Sequence, residues 1–256
     1  GSTVKPLALS ALLENDQNFL KSEVNTSPGW IEFEGYKTED AIDYGILSTE
    51  EIIAKSSNVG MVKLCADFES NQILQTYYSL GFGKYMNEIF ISTREGYLPE
   101  FKDLSPREKV SLCYGYGLQT TLIQLTSAYS TIFSNGLYRP LKLVYSSSQL
   151  TEKRILKENN ALNIKNILLQ AIQNGTGFRA KVKNQNVFGK TGTARIFKNQ
   201  QYNEDLHNAL FIGMTELDEK KYLVGLIVKD PKINGDGGGD VAAPIFSEII
   251  ETIQNF

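Results

Sequence analysis

Two kinds of hydrophobic pattern follow one another along the chain and predict two kinds of secondary structure. Over the first two thirds, apolar residues recur at three- to four-residue spacing in several segments, which is typical of helices. In the last third, three runs rich in β-branched and aromatic residues are separated by polar turns: NQNVFGKTGTARIF, HNALFIGMTE and KYLVGLIVKDP. These runs predict an antiparallel meander, and the segment VAAPIFSEIIETIQNF that follows them has the period of a closing helix.

Start and stop signals bound the predicted helices. Apolar residues after Ser2 fall mainly on one helical face, and Pro6 is tolerated there because a proline in the first turn loses no helical hydrogen bond. Ser48 and Glu51 have capping-box spacing ahead of a second helix. Further helices are predicted for VGMVKLCADF, for SNQILQTYYSL up to Gly81, for TTLIQLTSAYSTIFSNG and for ALNIKNILLQAIQNG.

These elements predict an α+β fold, in which helices flank an antiparallel sheet, or a mixed sandwich. Residues 23–47 are expected to be irregular with short extended pieces such as WIEFEGY, and residues 82–104 to form a long surface excursion. A chain of 256 residues can bury a sizeable core in one domain or two. No apolar run approaches the roughly 20 residues that span a bilayer. Because the chain lacks an initiator Met, we expect any signal peptide or membrane anchor to lie outside it.

Composition excludes several classes of function. The net charge of −3 gives no basic footprint for nucleic acid. His207 is the single histidine, so neither a multi-histidine metal site nor a Ser-His-Asp triad that bypasses it is available. The expected role of His207 is structural or solvent-facing.

Cys65 and Cys113 lie in apolar helical contexts and are expected to be buried free thiols, with a disulfide left open as the alternative. The cluster GDGGGD at 235–240 lacks the lysine of a phosphate-binding loop and is expected to form a turn.

Three short polar motifs are the candidates for chemistry: Ser2-Thr3-Val4-Lys5, Ser56-Ser57-Asn58 and Lys190-Thr191-Gly192-Thr193. Each motif by itself is common. The first is also the pattern of a capped helix with an exposed lysine, the second that of a helix boundary, and the third that of a polar strand edge. Their combination is specific, because each motif carries a group that acyl transfer through a serine requires.

The first and third motifs supply a nucleophile and its activation. Ser2 is expected at a helix N-terminus, where unpaired N–H groups and the helix dipole stabilise developing negative charge. Lys5 lies one turn further on the same face and, when neutral, can take the serine proton. Burial and a neighbouring cation both lower the pKa of a lysine, and Lys190 is the candidate for that cation.

The remaining motif residues are expected to handle the substrate. Ser56 offers a hydroxyl that relays a proton to the leaving group, and Asn58 offers a donor and an acceptor to a substrate amide. The KTGT run is expected at a sheet edge, where an extended peptide can add as a strand, and Gly192 is expected to allow that peptide close approach. The backbone N–H groups of Ser2 and Thr193 are expected to form an oxyanion hole.

The motifs stand in the order SxxK, SxN and KTG, which is the signature of serine β-lactamases and penicillin-binding proteins. Longer segments extend the match: GSTVKPL, AKSSNVGMVKL, LGFGK, YGYGLQTTLIQLTSAYSTIFSNGLYRPL, FGKTGTAR and GGGDVAAPIF. From Gly1 to about Pro244, the chain resembles the transpeptidase domain of class B penicillin-binding proteins. Within that family it is most similar to the cell-division, or septal, transpeptidases.

The resemblance implies a fold and a location. The fold would be β-lactamase/transpeptidase-like, an antiparallel sheet flanked by helices plus an all-helical subdomain, forming one domain over residues 1–256. The first strands of the family's central sheet, a non-catalytic module and a membrane anchor would lie upstream of Gly1. The domain would work on the periplasmic face of a bacterial inner membrane, with proteins of the division machinery as partners. No cofactor and no metal are expected.

The resemblance also implies an activity. It assigns Ser2 as nucleophile, Lys5 as base, Ser56 and Asn58 as the second motif, and Lys190, Thr191 and Thr193 as ligands of the substrate carboxylate. Ser2 would attack the D-Ala-D-Ala amide of a peptidoglycan stem peptide and expel D-Ala. An amine of a neighbouring stem peptide would then resolve the ester and cross-link the wall. β-Lactams would mimic the first step and stall there.

Three alternatives stay open from the residues alone. A D,D-carboxypeptidase differs mainly in using water as the acceptor. A serine β-lactamase shares the three motifs, but Glu95, the best candidate for the glutamate that activates water, lacks the ExxxN pattern of that loop. A penicillin-binding sensor or a division scaffold would bind without turnover and could keep the same motifs.

Overall fold

The computed structural model describes residues 1–85, 94–100, 104–142, 152–198, 201–233, 235 and 237–255. The helices are α1 (Lys5–Asn15), α2 (Thr49–Ala54), α3 (Asn58–Cys65), α4 (Ser70–Ser79), α5 (Pro106–Tyr114), α6 (Leu122–Phe133), α7 (Glu158–Gln173) and α8 (Ala243–Gln254). The strands are β1 (Glu23–Asn25), β2 (Trp30–Phe33), β3 (Tyr36–Glu39), β4 (Ile46–Ser48), β5 (Leu137–Tyr138), β6 (Lys153–Arg154), β7 (Phe188–Lys198), β8 (Gln201–Leu217) and β9 (Lys220–Lys229). Short 3-10 turns cover Ser2–Val4, Gln17–Lys21 and Phe178–Ala180, and a π-helical turn covers Gly238–Ala242. The predicted α+β class is confirmed, as is the closing helix.

The last third of the chain forms a three-stranded antiparallel sheet in the order β7-β8-β9. The register pairs Lys190 with Ile212 and Thr193 with Ala209. Within the described residues, β7 therefore has one free edge. The predicted meander and the predicted edge position of the KTGT run are both confirmed.

Residues 23–47 contain two small antiparallel sheets in place of a largely irregular segment. β1 pairs with β4, and β2 pairs with β3. The β2–β3 hairpin turns at Glu34 and Gly35, whose φ angles of 49° and 70° suit the left-handed positions of a tight two-residue turn. This hairpin is the WIEFEGY segment, and it ends directly before Asp40.

Helix α1 is buried on all sides, not on one face as predicted. Every residue from Lys5 to Leu13 is buried, because α1 packs against α4, α5 and α7. A helix surrounded in this way needs apolar or small side chains around its whole circumference. The sequence supplies them with the exception of Lys5, whose side chain is buried with the rest of the helix.

Side-chain caps determine where several helices begin. The predicted capping box of Ser48 and Glu51 is present at the start of α2. Thr121 and Gln124 form an equivalent box at the start of α6. In each box the two residues satisfy backbone N–H groups that the helix itself leaves unpaired.

Cys65 and Cys113 are joined in a disulfide, so the predicted free thiols are wrong. Cys65 is the last residue of α3, Cys113 lies in α5, and both are fully buried. The two helices pack side by side, which brings together sulfur atoms that are 48 residues apart in sequence. The apolar context indicated burial correctly but carried no information about which helices are neighbours.

The predicted surface excursion at residues 82–104 is described only in part, because residues 86–93 and 101–103 lie outside the described residues.

The described part of the GDGGGD cluster enters the π-helical turn and leads directly into α8. Among the described helices, none has the length and apolar character needed to cross a bilayer.

Candidate active site

Ser2 is the first residue of the 3-10 turn that leads into α1. Tyr129 of α6 holds this turn in place, because its hydroxyl donates a 2.6 Å hydrogen bond to the carbonyl oxygen of Thr3. Thr3 and Val4 are buried, while Ser2 is partly exposed. A hydroxyl group thus stands at the accessible end of a buried helix, where a substrate can meet it.

A close approach of two backbones holds the Ser2 segment from a second side. Gly115, just after α5, has φ = +95°, and a Cβ atom on it would lie 2.1 Å from the carbonyl oxygen of Gly1. Only glycine satisfies both requirements without strain or clash. Sequence inspection did not predict this contact, because residues 1 and 115 are neighbours only in the folded chain.

Gly192 lies against the same segment from the sheet side. A Cβ atom on Gly192 would come within 2.8 Å of Thr3 Cγ2. Glycine is therefore needed here so that β7 can pack against the Ser2–Val4 turn.

The amine of Lys5 lies in the interior and contacts the second motif. Lys5 Nζ donates to the carbonyl oxygen of Ser56 at 2.5 Å and to Asn58 Oδ1 at 2.7 Å. A neutral amine has two N–H bonds and one lone pair. Because two acceptors can take both N–H bonds, the lone pair remains for a proton from a third group.

Ser56 adopts a backbone conformation that directs two of its oxygens towards lysines. It follows α2 with φ = +62°, in the left-handed region that glycine usually occupies after a helix. For other residues this region costs roughly 1–3 kcal/mol. The carbonyl oxygen of Ser56 faces Lys5 and its hydroxyl faces Lys190. A glycine would relieve the strain but would lack the hydroxyl, so the hydroxyl is the reason for a serine here.

Lys190 brings the third motif to the same hydroxyl group. Its side chain is fully buried, and Nζ donates to Ser56 Oγ at 2.9 Å and to the carbonyl oxygen of Thr191 at 3.1 Å. Ser56 Oγ also lies 3.4 Å from Lys5 Nζ. The hydroxyl of Ser56 is therefore placed between two amines, one from each of the other motifs.

Both amines have pKa values far below that of an ordinary lysine. Burial holds the pKa of Lys5 well below its usual 10.5, the charge of Lys190 lowers this pKa further, and the carboxylate of Asp40 raises it. Burial lowers the pKa of Lys190 to about 7. The expectation that burial and a second cation together depress the pKa of Lys5 is confirmed.

Asp40, which sequence reasoning missed, organises the second motif. Its carboxylate accepts hydrogen bonds from the Ser57 hydroxyl at 2.6 Å and from the backbone N–H groups of Asn58 at 2.5 Å and Val59 at 3.1 Å. These groups form the N-terminus of α3, where an anion is stabilised by unpaired N–H groups and by the helix dipole. Asp40 comes 17 residues before Ser57, so no local pattern could have revealed it.

The hydroxyls of the third motif lie beside the glycine-rich turn. Thr191 Oγ1 is 2.6 Å from Thr176 Oγ1, and Thr193 Oγ1 accepts a 3.2 Å hydrogen bond from the N–H of Gly238. A Cβ atom on Gly238 would lie 2.5 Å from the carbonyl oxygen of Gly192. The GDGGGD cluster, predicted only as a turn, thus packs closely on the strand that carries KTGT.

An open groove of about 1150 Å³ adjoins the site. It is lined by Asn58 of the second motif and by Arg195, two residues beyond Thr193. The β2–β3 hairpin, α5 and the residues that follow α5, including Tyr116, supply the rest of the lining. The groove therefore borders both the second motif and the strand that carries the third motif.

The structure places two further residues from the sequence analysis, His207 and Glu95, outside the three motifs. His207 is opposite Arg195 in the pairing of β7 with β8, so it lies inside a strand and not at its start. Glu95 lines a different cavity, of about 550 Å³, together with Tyr78 and Leu98. A role for Glu95 in activating water at Ser2 has no geometric support.

The fold and the three motifs that it brings together are similar to those of one class of proteins, the serine acyltransferases in which a lysine takes the place of histidine. A comparison with protein-family models identifies the family within this class. Residues 1–251 match the family model described as the penicillin binding protein transpeptidase domain, and the chain belongs to that family.

Curated relatives carry names that agree with the family. The probable peptidoglycan D,D-transpeptidase PenA of Neisseria gonorrhoeae is 33% identical over 256 residues, and the alignment covers 98% of this chain and 43% of PenA. The peptidoglycan D,D-transpeptidase FtsI of Buchnera aphidicola is 32% identical, with 99% and 44% covered. FtsI of Escherichia coli K12 is 30% identical, with 98% and 42% covered. The chain thus spans less than half the length of these relatives.

Solved structures show the same fold. The transpeptidase domain of Burkholderia pseudomallei penicillin-binding protein 3, in its apo form, superposes with a TM-score of 0.92 at 28% identity, covering 100% of this chain and 78% of that one. A structure titled as a peptidoglycan glycosyltransferase from Burkholderia ambifaria superposes with a TM-score of 0.89 at 27% identity, with the same coverage.

Proposed function

We propose that the chain is the catalytic domain of a peptidoglycan D,D-transpeptidase that cross-links stem peptides through an acyl-enzyme on Ser2, in septal cell-wall synthesis. The observation that carries this proposal is the Ser56 hydroxyl between two buried amines, 3.4 Å from Lys5 and 2.9 Å from Lys190. That arrangement suits proton transfer at a serine nucleophile and has no evident structural purpose.

In the first step, Lys5 removes the proton of the Ser2 hydroxyl as Ser2 Oγ attacks the carbonyl carbon of the penultimate D-Ala. Lys5 can act as a base because burial and the nearby charge of Lys190 keep its pKa low. The backbone N–H groups of Ser2 and Thr193 bind the developing oxyanion. The peptide lies along the free edge of β7 as an added strand.

In the collapse of the tetrahedral intermediate, the proton moves from Lys5 through the Ser56 hydroxyl to the nitrogen of the leaving D-Ala. The C–N bond breaks and an ester on Ser2 remains. Protonated Lys190, with the hydroxyls of Thr191 and Thr193, binds the terminal carboxylate by charge-assisted hydrogen bonds. Asn58 holds the substrate amide in line.

In the second step, an amine of another stem peptide attacks the ester carbonyl. The amine loses its proton to the Lys5–Ser56 pair, a new amide bond forms, and Ser2 Oγ leaves with a proton. A β-lactam enters the first step in the same way. Because the amine that leaves in ring opening stays attached to the acyl group, the ester persists.

The alternatives fit the site less well. A β-lactamase needs a group that activates water at the ester, and the candidate Glu95 lines another cavity. A scaffold that binds without forming an acyl-enzyme would have no use for a strained Ser56 or for two buried amines with lowered pKa values. A penicillin sensor that forms the ester would give labelling without a cross-linked product. A D,D-carboxypeptidase differs only in its acceptor and is separated from a transpeptidase by the experiment below.

We further propose that the domain acts on the periplasmic face of a bacterial inner membrane, with division proteins as partners. The substrate polymer lies outside the cytoplasm, and the Cys65–Cys113 disulfide is typical of an oxidising compartment. The partners follow from the family resemblance.

The proposal is tested by supplying the purified protein with a donor peptide ending in D-Ala-D-Ala and an amine-bearing acceptor stem peptide. We expect release of D-Ala, a cross-linked product, and a stable penicillin ester on the peptide that contains Ser2, each identified by mass spectrometry. Hydrolysed donor without cross-linked product would identify a carboxypeptidase. Rapid release of opened penicillin would identify a β-lactamase, and the absence of any ester would leave a scaffold.

Asp40→Asn should slow acylation by up to about tenfold, the loss expected for one charge-assisted hydrogen bond, and shift its pH dependence. Asparagine can still accept from the N–H groups of Asn58 and Val59, but it carries no charge. Because the Asp40 carboxylate raises the pKa of Lys5, its loss should lower that pKa. The acid limb of the rate–pH profile should therefore move to lower pH, as measured by stopped-flow acylation with a chromogenic cephalosporin.

Asp43→Asn is the matched control for this measurement. The carboxylate of Asp43 lies on the same loop but accepts from Ser27 Oγ and from the N–H of Gly45, away from Lys5. The control should keep the wild-type profile. An unshifted acid limb in Asp40→Asn would contradict the electrostatic role of Asp40.

A further inference from the structure

A cation–π contact joins the two walls of the groove beside the active site. Arg107 lies in the first turn of α5, and its Cζ atom is 3.6 Å from the centre of the Tyr36 ring at the start of β3. Both side chains are exposed and both line the groove. A guanidinium that stacks through its face keeps its N–H edge available for an anion.

The side chains that line the groove include more cations than carboxylates. The groove residues include three cations, Lys37, Arg107 and Arg195, and two carboxylates, Glu39 and Glu108. Glu39 forms an ion pair with Lys37 at 2.5 Å. Glu108 accepts from the N–H of Ser105 at 3.0 Å and from its hydroxyl at 2.7 Å, as the second half of a capping box. Both carboxylates are thus engaged within the protein, and the groove suits an anionic ligand.

The reaction requires such a ligand to arrive from a second direction. Transpeptidation brings two stem peptides to one serine, and the free edge of β7 accommodates only the first. Asn58 of the second motif lines the groove, so a second peptide lying in it would approach the site from the side of that motif. A stem peptide that ends in D-Ala carries a free carboxylate at its C-terminus.

We propose that Arg107, held over the ring of Tyr36, binds a free carboxylate of the acceptor stem peptide and so selects acidic acceptors in the second step. This inference rests on the proposed transpeptidase function and adds a subsite to it. Arg107 does not contact the reacting atoms in this proposal, so it determines specificity and not chemistry.

The test compares two acceptors that differ by one charge, a stem peptide with its free α-carboxylate and the same peptide with that group amidated. The KM of each acceptor is measured with a thioester donor. We expect Arg107→Gln to raise the KM of the acidic acceptor by about 3- to 5-fold, the range typical of an exposed ion pair. The variant should no longer prefer the acidic acceptor over the amidated one. Lys109→Gln is the matched control, because Lys109 lies on the same helix but lines a separate pocket with Glu69 and Asn71.

The outcomes distinguish failure of the carboxylate subsite from failure of the proposed transpeptidase function. If the wild-type protein transfers the acyl group but Arg107→Gln weakens both acceptors equally, or neither, the carboxylate subsite is wrong and the transpeptidase function stands. If Lys109→Gln abolishes the preference as well, the effect is one of net charge and the subsite is again wrong. If the wild-type protein forms no acyl-enzyme, both proposals fail. Tyr36→Phe should keep the preference and Tyr36→Leu should reduce it, because only the ring orients the guanidinium.

Discussion

Ser2→Ala should remove covalent labelling by penicillin completely while leaving the protein folded. The substitution deletes the nucleophilic oxygen, and no neighbouring hydroxyl can replace it, since Ser56 Oγ is held between the amines of Lys5 and Lys190. Loss of a nucleophile that acts as part of a unit typically lowers turnover by a factor on the order of 10⁶. Labelling with fluorescent penicillin and intact-mass analysis should therefore show no adduct.

Stability should change little, because Ser2 is partly exposed and surface substitutions usually alter the free energy of unfolding by about 0.5 kcal/mol or less. Ser10→Ala is the matched control. Its hydroxyl lies in the same helix and donates to the carbonyl oxygen of Leu7 at 2.6 Å, away from the site. Persistent labelling in Ser2→Ala would disprove the assignment of the nucleophile.

The elements that sequence predicted well are those whose cause is local. The Ser48–Glu51 capping box joins residues three positions apart, and the strands of the C-terminal meander are consecutive in the chain. Ser2 and Lys5 are also three residues apart, and the prediction that they share a face rests on the helical period alone. Such features depend on backbone geometry and need no knowledge of the tertiary fold.

The parts that sequence did not predict depend on which elements become neighbours. Asp40 caps α3 from a preceding hairpin, and Gly115 meets Gly1 across more than a hundred residues. The disulfide and the full burial of α1 have the same origin, since both follow from helix packing. Gly192 has a packing contact with Thr3 that motif reasoning did not predict, because the Ser2–Val4 turn meets β7 only in the folded chain.

The buried lysines depend both on local geometry and on tertiary packing. Lys5 is placed by local helix geometry, but its pKa is set by burial and by Lys190, which arrives from the distant sheet. A motif in the sequence can therefore indicate the candidate base, whereas the lowering of its pKa requires the folded core. The strain at Ser56 belongs to the same arrangement, because it aims a hydroxyl at both amines.

Lys5→Met and Lys5→Arg should each lower the rate of acylation by about 10²- to 10⁴-fold, the usual contribution of a general base. Methionine removes the basic nitrogen at similar length. Arginine keeps a cation and its donors but cannot be deprotonated in a protein, so it separates a need for a base from a need for a positive charge. Stopped-flow acylation gives the rates, and thermal unfolding of each variant shows whether the fold survives the loss of the bonds to Ser56 and Asn58.

The pH profile of the wild-type protein supplies the independent check. Below the lowered pKa of Lys5 the amine is protonated and cannot accept the serine proton, so acylation should rise as pH increases through that value. Above about 7, the pKa of Lys190, the cation that binds the substrate carboxylate is lost, so the second-order rate constant should fall again. A Lys5→Arg variant that acylates within tenfold of wild type would show that Lys5 acts through its charge. In that case the base would have to be sought elsewhere, with the amine of Lys190 as the nearest candidate.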